Sequence, residues 1–94
     1  MPSGHDIEYD FRKQQATLAH RGLDFNDAPT VFAGKTLAMI DDRQNYGEER
    51  IITVGTLSER VVIIVWTPRG KKRRIISMRY ANERERQRYT HHLG

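Results

Sequence analysis

Apolar and β-branched residues alternate or cluster in short stretches over the second two thirds of the chain, and polar segments with Gly, Asn or Pro separate these stretches. This pattern predicts an antiparallel four-stranded meander, with strands near 35–40, 50–56, 60–66 and 73–80. The stretch 61–66 is apolar on both faces. A strand of this type normally lies in the middle of a sheet and is covered on both sides.

The first third of the chain shows helical spacing after a short alternating stretch, Ile7–Tyr9, which predicts a strand. The segment Phe11–Arg21 consists of good helix formers and predicts the first helix. A second, shorter helix is predicted to begin near residue 26 or 27, because Pro29 fits only the first turn of a helix. Gly34 marks its end.

The last segment predicts a C-terminal helix. Asn82 and Glu85 have the three-residue spacing of a capping box, and the helix is expected to reach about Leu93. The predicted fold class is therefore α+β, with two N-terminal helices, an antiparallel four- to five-stranded sheet and a C-terminal helix. We expect a single domain over 1–94, in which 1–6 are flexible.

Composition narrows the possible classes of protein. The chain has 94 residues, of which 37% are hydrophobic and 30% charged, which is typical of a small globular domain. Its longest apolar run is far shorter than the roughly 20 residues needed to cross a bilayer. There is no cysteine, so disulfides and thiolate chemistry are excluded. We therefore expect a cytoplasmic protein with no membrane association.

Positive charge is concentrated in one part of the chain. The net charge is +4, and the segment 60–79 contains seven lysines and arginines but no acidic residue. Such a field suits a polyanion, although a solvated basic hairpin would show the same pattern. We predict contacts with such a polyanion at Lys13, Arg60, Trp66, Lys71, Lys72, Arg73 and Ser77. For Trp66, a place in the core is the favoured alternative.

The last predicted strand ends in polar residues. Strict alternation would place Arg74, Ile76, Met78 and Tyr80 on one face, and Arg73, Ile75, Ser77 and Arg79 on the other. With a partly polar row on a neighbouring strand, Ile51, Thr53 and Gly55, the second face would form a shallow groove. A guanidinium there can bind phosphate through its planar fork and stabilise developing charge. An ion pair of Arg79 with Asp41, Asp42 or Glu85 is the alternative.

Other candidate groups also have structural alternatives. Tyr80 can donate a proton or stack on a base, but a tyrosine at the end of a strand is more often a core or rim residue. His20, in the last turn of a helix, can simply complement the helix dipole. The carboxylates Asp41, Asp42, Glu48 and Glu49 lack a metal-loop spacing and are expected in a solvated turn. No metal site and no cofactor are predicted, since zinc spacings and a phosphate-binding glycine loop are lacking.

Four blocks in the order "YDFRK", "RGLDFNDA", "DDRQNYGEERIITVG" and "RGKKRRIISMRYANERERQRY" resemble the BrnT family of bacterial type II toxins. The resemblance covers nearly the whole chain. Three positions depart from the usual pattern: His20-Arg21-Gly22 replaces Lys-His-Gly, Met78 replaces alanine, and Tyr80 stands where a basic residue is common.

The resemblance implies a RelE-like microbial ribonuclease fold and an RNA-cleaving toxin that arrests translation. It also implies a BrnA-like antitoxin, which neutralises the toxin and binds the operon's own promoter within a toxin–antitoxin hetero-oligomer. Arg74 and Arg79 match the family's arginines. The candidate catalytic residues are Arg79, Arg74, Tyr80, His20 and Glu59, acting without a metal ion and, as one possibility, on RNA oriented by the ribosome.

Two other functions fit the same residues. A non-catalytic nucleic-acid-binding module would use the basic segment, would be weakened steeply by salt and would leave RNA intact. A partner-docking protein would use the apolar central strand and the terminal helix as its interface. Because a toxin also docks an antitoxin, cleavage of RNA is the property that separates these hypotheses.

Overall fold

Five strands form one sheet in the order β1–β5–β4–β3–β2, with helices on both of its faces. The computed structural model describes residues 6–93, and the predicted flexibility of 1–6 falls almost wholly outside them. The elements are β1 (Ile7–Tyr9), α1 (Phe11–Arg21), α2 (Ala28–Ala33), β2 (Leu37–Ile40), β3 (Ile51–Leu57), β4 (Arg60–Arg69), β5 (Lys72–Tyr80) and α3 (Glu83–Tyr89). Single 3₁₀ turns, Phe25–Asp27 and Thr90–His92, precede α2 and follow α3. The α+β class is confirmed.

The sheet is mixed, so the prediction of an antiparallel sheet is wrong at one edge. Strands β2 to β5 form the expected antiparallel meander, but β1 pairs in parallel with β5, with Glu8 opposite Arg74. Alternation along a sequence identifies a strand but carries no information about the direction of its partner. The first and last strands of the chain are therefore neighbours.

The helix ends follow the local signals. Asp10 caps α1 by accepting hydrogen bonds from two backbone N–H groups of the first turn, and Gly22 ends α1 in a left-handed conformation with a φ of 69°. Asn82 and Glu85 form a complete capping box at the start of α3. The predicted C-terminal helix is shorter than expected, because α3 gives way to the 3₁₀ turn after Tyr89.

One face of the sheet, here called the α2 face, holds the larger core. Side chains from the helical segments pack on β4 and β5, and the buried members are Leu23, Phe25, Ala28, Val31, Val62, Ile64, Ile75 and Met78. Gly55 allows α2 to approach closely: a Cβ atom there would lie 2.6 Å from Val31 Cγ1. A larger residue at this position would clash with Val31 and disturb the packing of α2 on the sheet.

The opposite face, here called the α3 face, is only partly covered. Its buried cluster is Val54, Val61, Ile63 and Ala81, with Tyr89 and Leu93 of the C-terminal segment packed against it. The prediction that β4 is covered on both sides is confirmed. Since α3 is short, polar side chains of β5 reach solvent beside it.

A bulge in β5 changes which side chains share a face. Ser77 pairs with Val65 and Ile75 pairs with Trp66, so Ile76 has no partner and alternation shifts by one residue. Ile75 and Met78 consequently lie in the same core cluster. The predicted faces of this strand are therefore wrong, because strict alternation placed Ile75 and Met78 on opposite faces.

The predicted row beside Arg79 is also wrong. Thr53 pairs with Ile64 and Gly55 with Val62, so both lie on the α2 face, whereas Arg79 is opposite Ile63 on the α3 face. In addition, β4 separates β3 from β5.

Within residues 6–93, no helix is long and apolar enough to cross a membrane.

Candidate functional site

Arg79 lies on the α3 face and is held by a carboxylate of α3. Its Nη1 and Nη2 atoms each donate to one carboxylate oxygen of Glu85, both at 2.8 Å. The same Glu85 side chain accepts a hydrogen bond of 2.9 Å from the Asn82 backbone N–H. Of the alternatives considered for Arg79, the ion pair with Glu85 is the one that the structure shows. The guanidinium is therefore fixed in orientation, and its side chain remains 41% exposed.

This pairing sets the protonation of both groups. The hydrogen bonds from Arg79 lower the pKa of Glu85 to about 2, and those to Glu85 raise the pKa of Arg79. A carboxylate with so low a pKa is a poor proton acceptor near neutral pH. Glu85 therefore orients Arg79 rather than exchanging protons.

Arg79 lines a cavity of about 320 Å³ on the α3 face. Three arginines and one carboxylate lie in its wall above an apolar floor from β2, β3 and β4. The polar lining consists of Arg21, Arg43, Ser77, Arg79, Glu85 and Tyr89. Arginine outnumbers the acid, so the cavity is suited to an anion.

Arg43 reaches this cavity from the loop between β2 and β3. Its Nε and Nη2 atoms donate to the two carboxylate oxygens of Asp41, each at 2.7 Å. The Asp41 side chain is fully buried and also accepts from the Tyr46 hydroxyl at 3.3 Å. Arg43 lowers the pKa of Asp41 to about 2. The prediction of a solvated turn is therefore wrong for Asp41.

Arg21 connects this cavity to a second one. Its Nη1 atom donates to the Met78 carbonyl oxygen at 3.1 Å, which fixes the end of α1 beside β5. The second cavity, of about 300 Å³, is lined by α1 and by the bulged part of β5, including Lys13, His20 and Ser77. Arg21 and Ser77 line both cavities. We call the combined surface the β5 groove: Lys13, His20, Arg21, Arg43, Ser77, Arg79 and Glu85.

The structure thus brings four of the predicted site residues into one groove: Lys13, His20, Ser77 and Arg79. Two of its arginines were missed by sequence reasoning. Arg21 is separated from Ser77 by most of the chain, and Arg43 lies in a loop without regular periodicity. The Asp41–Arg43 spacing is a weak signal, because an acid and an arginine two residues apart are common in turns.

A separate group of predicted residues lies beyond α3. Glu59, Arg60 and Tyr80 line a larger cavity of about 650 Å³, with Arg86 and Thr90 on its other wall. The Arg60 guanidinium stacks on the Tyr80 ring, with 3.6 Å between Cζ and the ring centroid. No residue of this cavity also lines the β5 groove. The side chains of Glu59 and Tyr80 therefore line a different cavity from that of Arg79, although the Tyr80 carbonyl oxygen accepts a hydrogen bond of 3.5 Å from Arg79 Nη1.

Arg74 is also separated from Arg79. Its Nη1 atom pairs with Glu8 Oε2 at 2.9 Å, across the parallel β1–β5 contact. At the usual rise per residue of a strand, the two arginines are roughly 15 Å apart along β5. Arg74 therefore reinforces the junction of the first and last strands, and it can reach only a different part of an extended ligand.

The basic residues of the β4–β5 hairpin form a fourth location. Lys71, Lys72 and Arg73 line a cavity of about 210 Å³ together with Trp66. The Arg73 guanidinium lies over the rings of Phe32 and Trp66, with its Cζ 4.2 Å and 5.1 Å from their centroids. The Trp66 indole N–H donates to Thr53 at 2.8 Å. Trp66 is thus a packed, hydrogen-bonded residue whose rim supports Arg73.

The lowered pKa values of Asp41 and Glu85 predict how the stability of the folded protein depends on pH. The pKa values of Asp41 and Glu85 fall to about 2 in the folded protein, from ordinary values of 3.8 and 4.5. A lowered folded-state pKa contributes stability above the unfolded-state pKa, and that stability is lost as pH falls toward the folded-state pKa. Thermal unfolding should therefore show a midpoint that drops between about pH 5 and pH 2.

The matched variants for this prediction are Glu85→Gln and Glu83→Gln. Glu83 is in the same helix, but its side chain is 80% exposed. Its contact with Arg86 is a weak one, because the two charged groups are 4.0 Å apart. Glu85→Gln should flatten the drop in the unfolding midpoint, and Glu83→Gln should leave it unchanged. An equally steep drop in Glu85→Gln and the unaltered chain would contradict the role assigned to the Arg79–Glu85 pair.

Across residues 6–93, no group of three or more His, Asp or Glu side chains is arranged to hold a metal ion.

A comparison with curated proteins found no match to the chain. The family model described as the ribonuclease toxin BrnT of type II toxin–antitoxin systems matches residues 9–85, which span α1, the sheet from β2 to β5 and the arginines of the β5 groove. The chain therefore belongs to the BrnT family of type II ribonuclease toxins.

Proposed function

We propose that this protein is a metal-independent endoribonuclease toxin that cleaves RNA in the β5 groove. The observation that carries the proposal is the placement of Arg79: its guanidinium is fixed by Glu85 in a cavity that contains two further arginines and adjoins His20. Oriented guanidinium groups stabilise charge on a phosphate in the transition state. The family supplies the class of substrate, which is RNA.

The proposed reaction is an internal transfer at phosphorus. The ribose 2′-oxygen attacks the adjacent phosphorus, the bond to the 5′-oxygen breaks, and the products carry a 2′,3′-cyclic phosphate and a 5′-hydroxyl. The 2′-hydroxyl proton passes to a base, and a proton is delivered to the leaving oxygen. His20 is the candidate for proton transfer that shares the groove with Ser77.

The remaining predicted residues are proposed to act along the bound strand. Arg74 and the hairpin bases Lys71, Lys72 and Arg73 would contact phosphates on one side of the cleaved bond. Tyr80, Glu59 and Arg60 would contact nucleotides that pass beyond α3. Trp66 would act indirectly, through the position of Arg73.

We also propose the biological setting of this activity. The toxin would arrest translation in the cytoplasm, with the ribosome as a platform that orients the RNA. A BrnA-like antitoxin would neutralise it, and their hetero-oligomer would bind the operon's promoter through the antitoxin. Membership in a type II toxin–antitoxin family supports the existence of such a partner.

The test is incubation of the purified chain with an end-labelled RNA in excess EDTA and, in a separate reaction, with the same RNA and intact ribosomes in a buffer that contains Mg²⁺. We expect cleavage in EDTA and products with 2′,3′-cyclic phosphate ends, because the proposed attack uses the 2′-hydroxyl. A 2′-O-methyl RNA of the same sequence is the matched control and should stay intact.

Two results would overturn the proposal. Cleavage of the free RNA that stops in EDTA and returns with Mg²⁺ would contradict metal independence. RNA that stays intact in both reactions, while it still binds the chain with a steep dependence on salt, would favour the non-catalytic nucleic-acid-binding module.

A further inference from the structure

Arg43 and Arg79 are far apart in the sequence but line the same cavity. Each is held by a carboxylate that accepts two hydrogen bonds from its guanidinium. Their charges are close enough to interact: Glu85 raises the pKa of Arg79, and the charge of Arg43 acts in the opposite direction. An anion bound between them would relieve this repulsion.

Arg43 retains free hydrogen-bonding capacity toward the cavity. A guanidinium has five N–H groups, and the contacts with Asp41 use one from Nε and one from Nη2. The Arg43 side chain is 68% exposed. Its unused N–H groups are therefore available to a ligand without disruption of the contact with Asp41.

Asp41 is placed to hold this orientation. Its backbone N–H donates to the Arg50 carbonyl oxygen at 2.8 Å, which ties the start of the loop to its end. Its buried carboxylate accepts both from the Arg43 side chain and, at 3.3 Å, from the Arg43 backbone N–H. A buried carboxylate is costly unless it is paired, so the contact with Arg43 stabilises this shape of the loop.

We infer that Arg43 is a second phosphate-binding residue of the β5 groove, which takes a phosphate of the RNA strand that also engages Arg79, and that Asp41 is its positioning residue. The inference rests on the proposed function, because it takes RNA as the ligand. It adds a binding residue from a loop to a site otherwise built from α1, β5 and α3.

The test measures binding of a 2′-O-methyl RNA over a range of salt concentrations. This probe cannot undergo the proposed reaction, so binding is measured without cleavage. One lost phosphate contact should reduce the slope of log affinity against log salt by about 0.7 for a single strand. We expect that reduction in Arg43→Gln, in which the glutamine amide can still donate to Asp41, and no change in Arg43→Lys.

Arg84→Gln is the matched control for charge. Arg84 is an exposed arginine of α3 and does not line the cavity, so its substitution should leave the slope unchanged. Asp41→Asn should weaken binding while it preserves the slope, because Arg43 keeps its charge but loses its orientation. A purely structural role for Asp41 would lower the unfolding midpoint and leave the affinity of the folded protein as it was.

The outcomes separate this inference from the proposed function. An unchanged slope in Arg43→Gln would overturn the inference, whether or not the unaltered chain cleaves RNA. A reduced slope together with intact unmodified RNA would support phosphate binding by Arg43 and overturn the nuclease. If Arg43→Gln unfolds because Asp41 is left buried and unpaired, the double variant Asp41→Asn/Arg43→Gln decides: a slope reduced by about 0.7 relative to Asp41→Asn supports the inference, and an equal slope overturns it.

Discussion

Replacement of Arg79 by alanine should lower the rate of RNA cleavage by about 10²–10³-fold, the usual cost of a lost group that stabilises transition-state charge. The proposed phosphate contact uses the guanidinium N–H groups that Glu85 does not occupy, and alanine removes both the positive charge and these donors. Arg79→Lys should recover only part of the rate, because an ammonium group keeps the charge without the planar fork.

The measurement is single-turnover cleavage of a labelled RNA, with Arg84→Ala as the matched loss of one exposed arginine. Glu85 keeps its hydrogen bond from the Asn82 backbone N–H in the Arg79 variants, so α3 should remain folded. Circular dichroism checks this point. Cleavage by Arg79→Ala within about twofold of Arg84→Ala would remove Arg79 from the mechanism.

Ile64→Ala should cost about 2–5 kcal/mol of the free energy of unfolding. Ile64 is fully buried in the middle of β4, and β4 is hydrogen-bonded to both β3 and β5. Truncation would leave a cavity between the sheet and α2 that the surrounding strands cannot close. For a domain of this size, the loss is a large part of the total stability.

Ile40 provides the control for this substitution. It is also an isoleucine in a strand, but it is 58% exposed, and Ile40→Ala should change stability by no more than about 0.5 kcal/mol. Equilibrium unfolding in urea gives the free energy of unfolding of both variants. An equal slope of this free energy against urea concentration shows that the variants unfold to the same extent. Equal losses in the two variants would contradict the assignment of the core to the α2 face.

Local sequence signals were sufficient for most of the elements. The β-branched run of β4, the left-handed Gly22 and the capping box of Asn82 and Glu85 each depend on neighbours within a few residues. Pro68 shows the limit of such signals, because it favours a turn but lies within β4. It pairs with Arg73 only, beyond the end of β3, so its missing N–H breaks no ladder on the other side.

Long-range relations were not available from the sequence. The bulge at Ile76 depends on how β5 pairs with β4. Because of this one extra residue, the side chains of β5 before Ile76 lie on the opposite face from the one that strict alternation predicts relative to Met78 and Arg79. Arg79 was identified as a phosphate-binding candidate, but its partners Arg21 and Arg43 come from other elements. Tyr80 is adjacent to Arg79 in sequence and still belongs to a different cavity, because side chains in a strand alternate.

The pairing of β1 with β5 has a consequence for a toxin during its own synthesis. Glu8 and Arg74 are 66 residues apart in the chain, and Arg21 and Met78 are 57 apart. Contacts of such long sequence separation form late, because most of the chain must be present before they close. A nascent chain that lacks β5 has neither Ser77 nor Arg79 and therefore no complete β5 groove, so under the proposed function it would not cleave RNA.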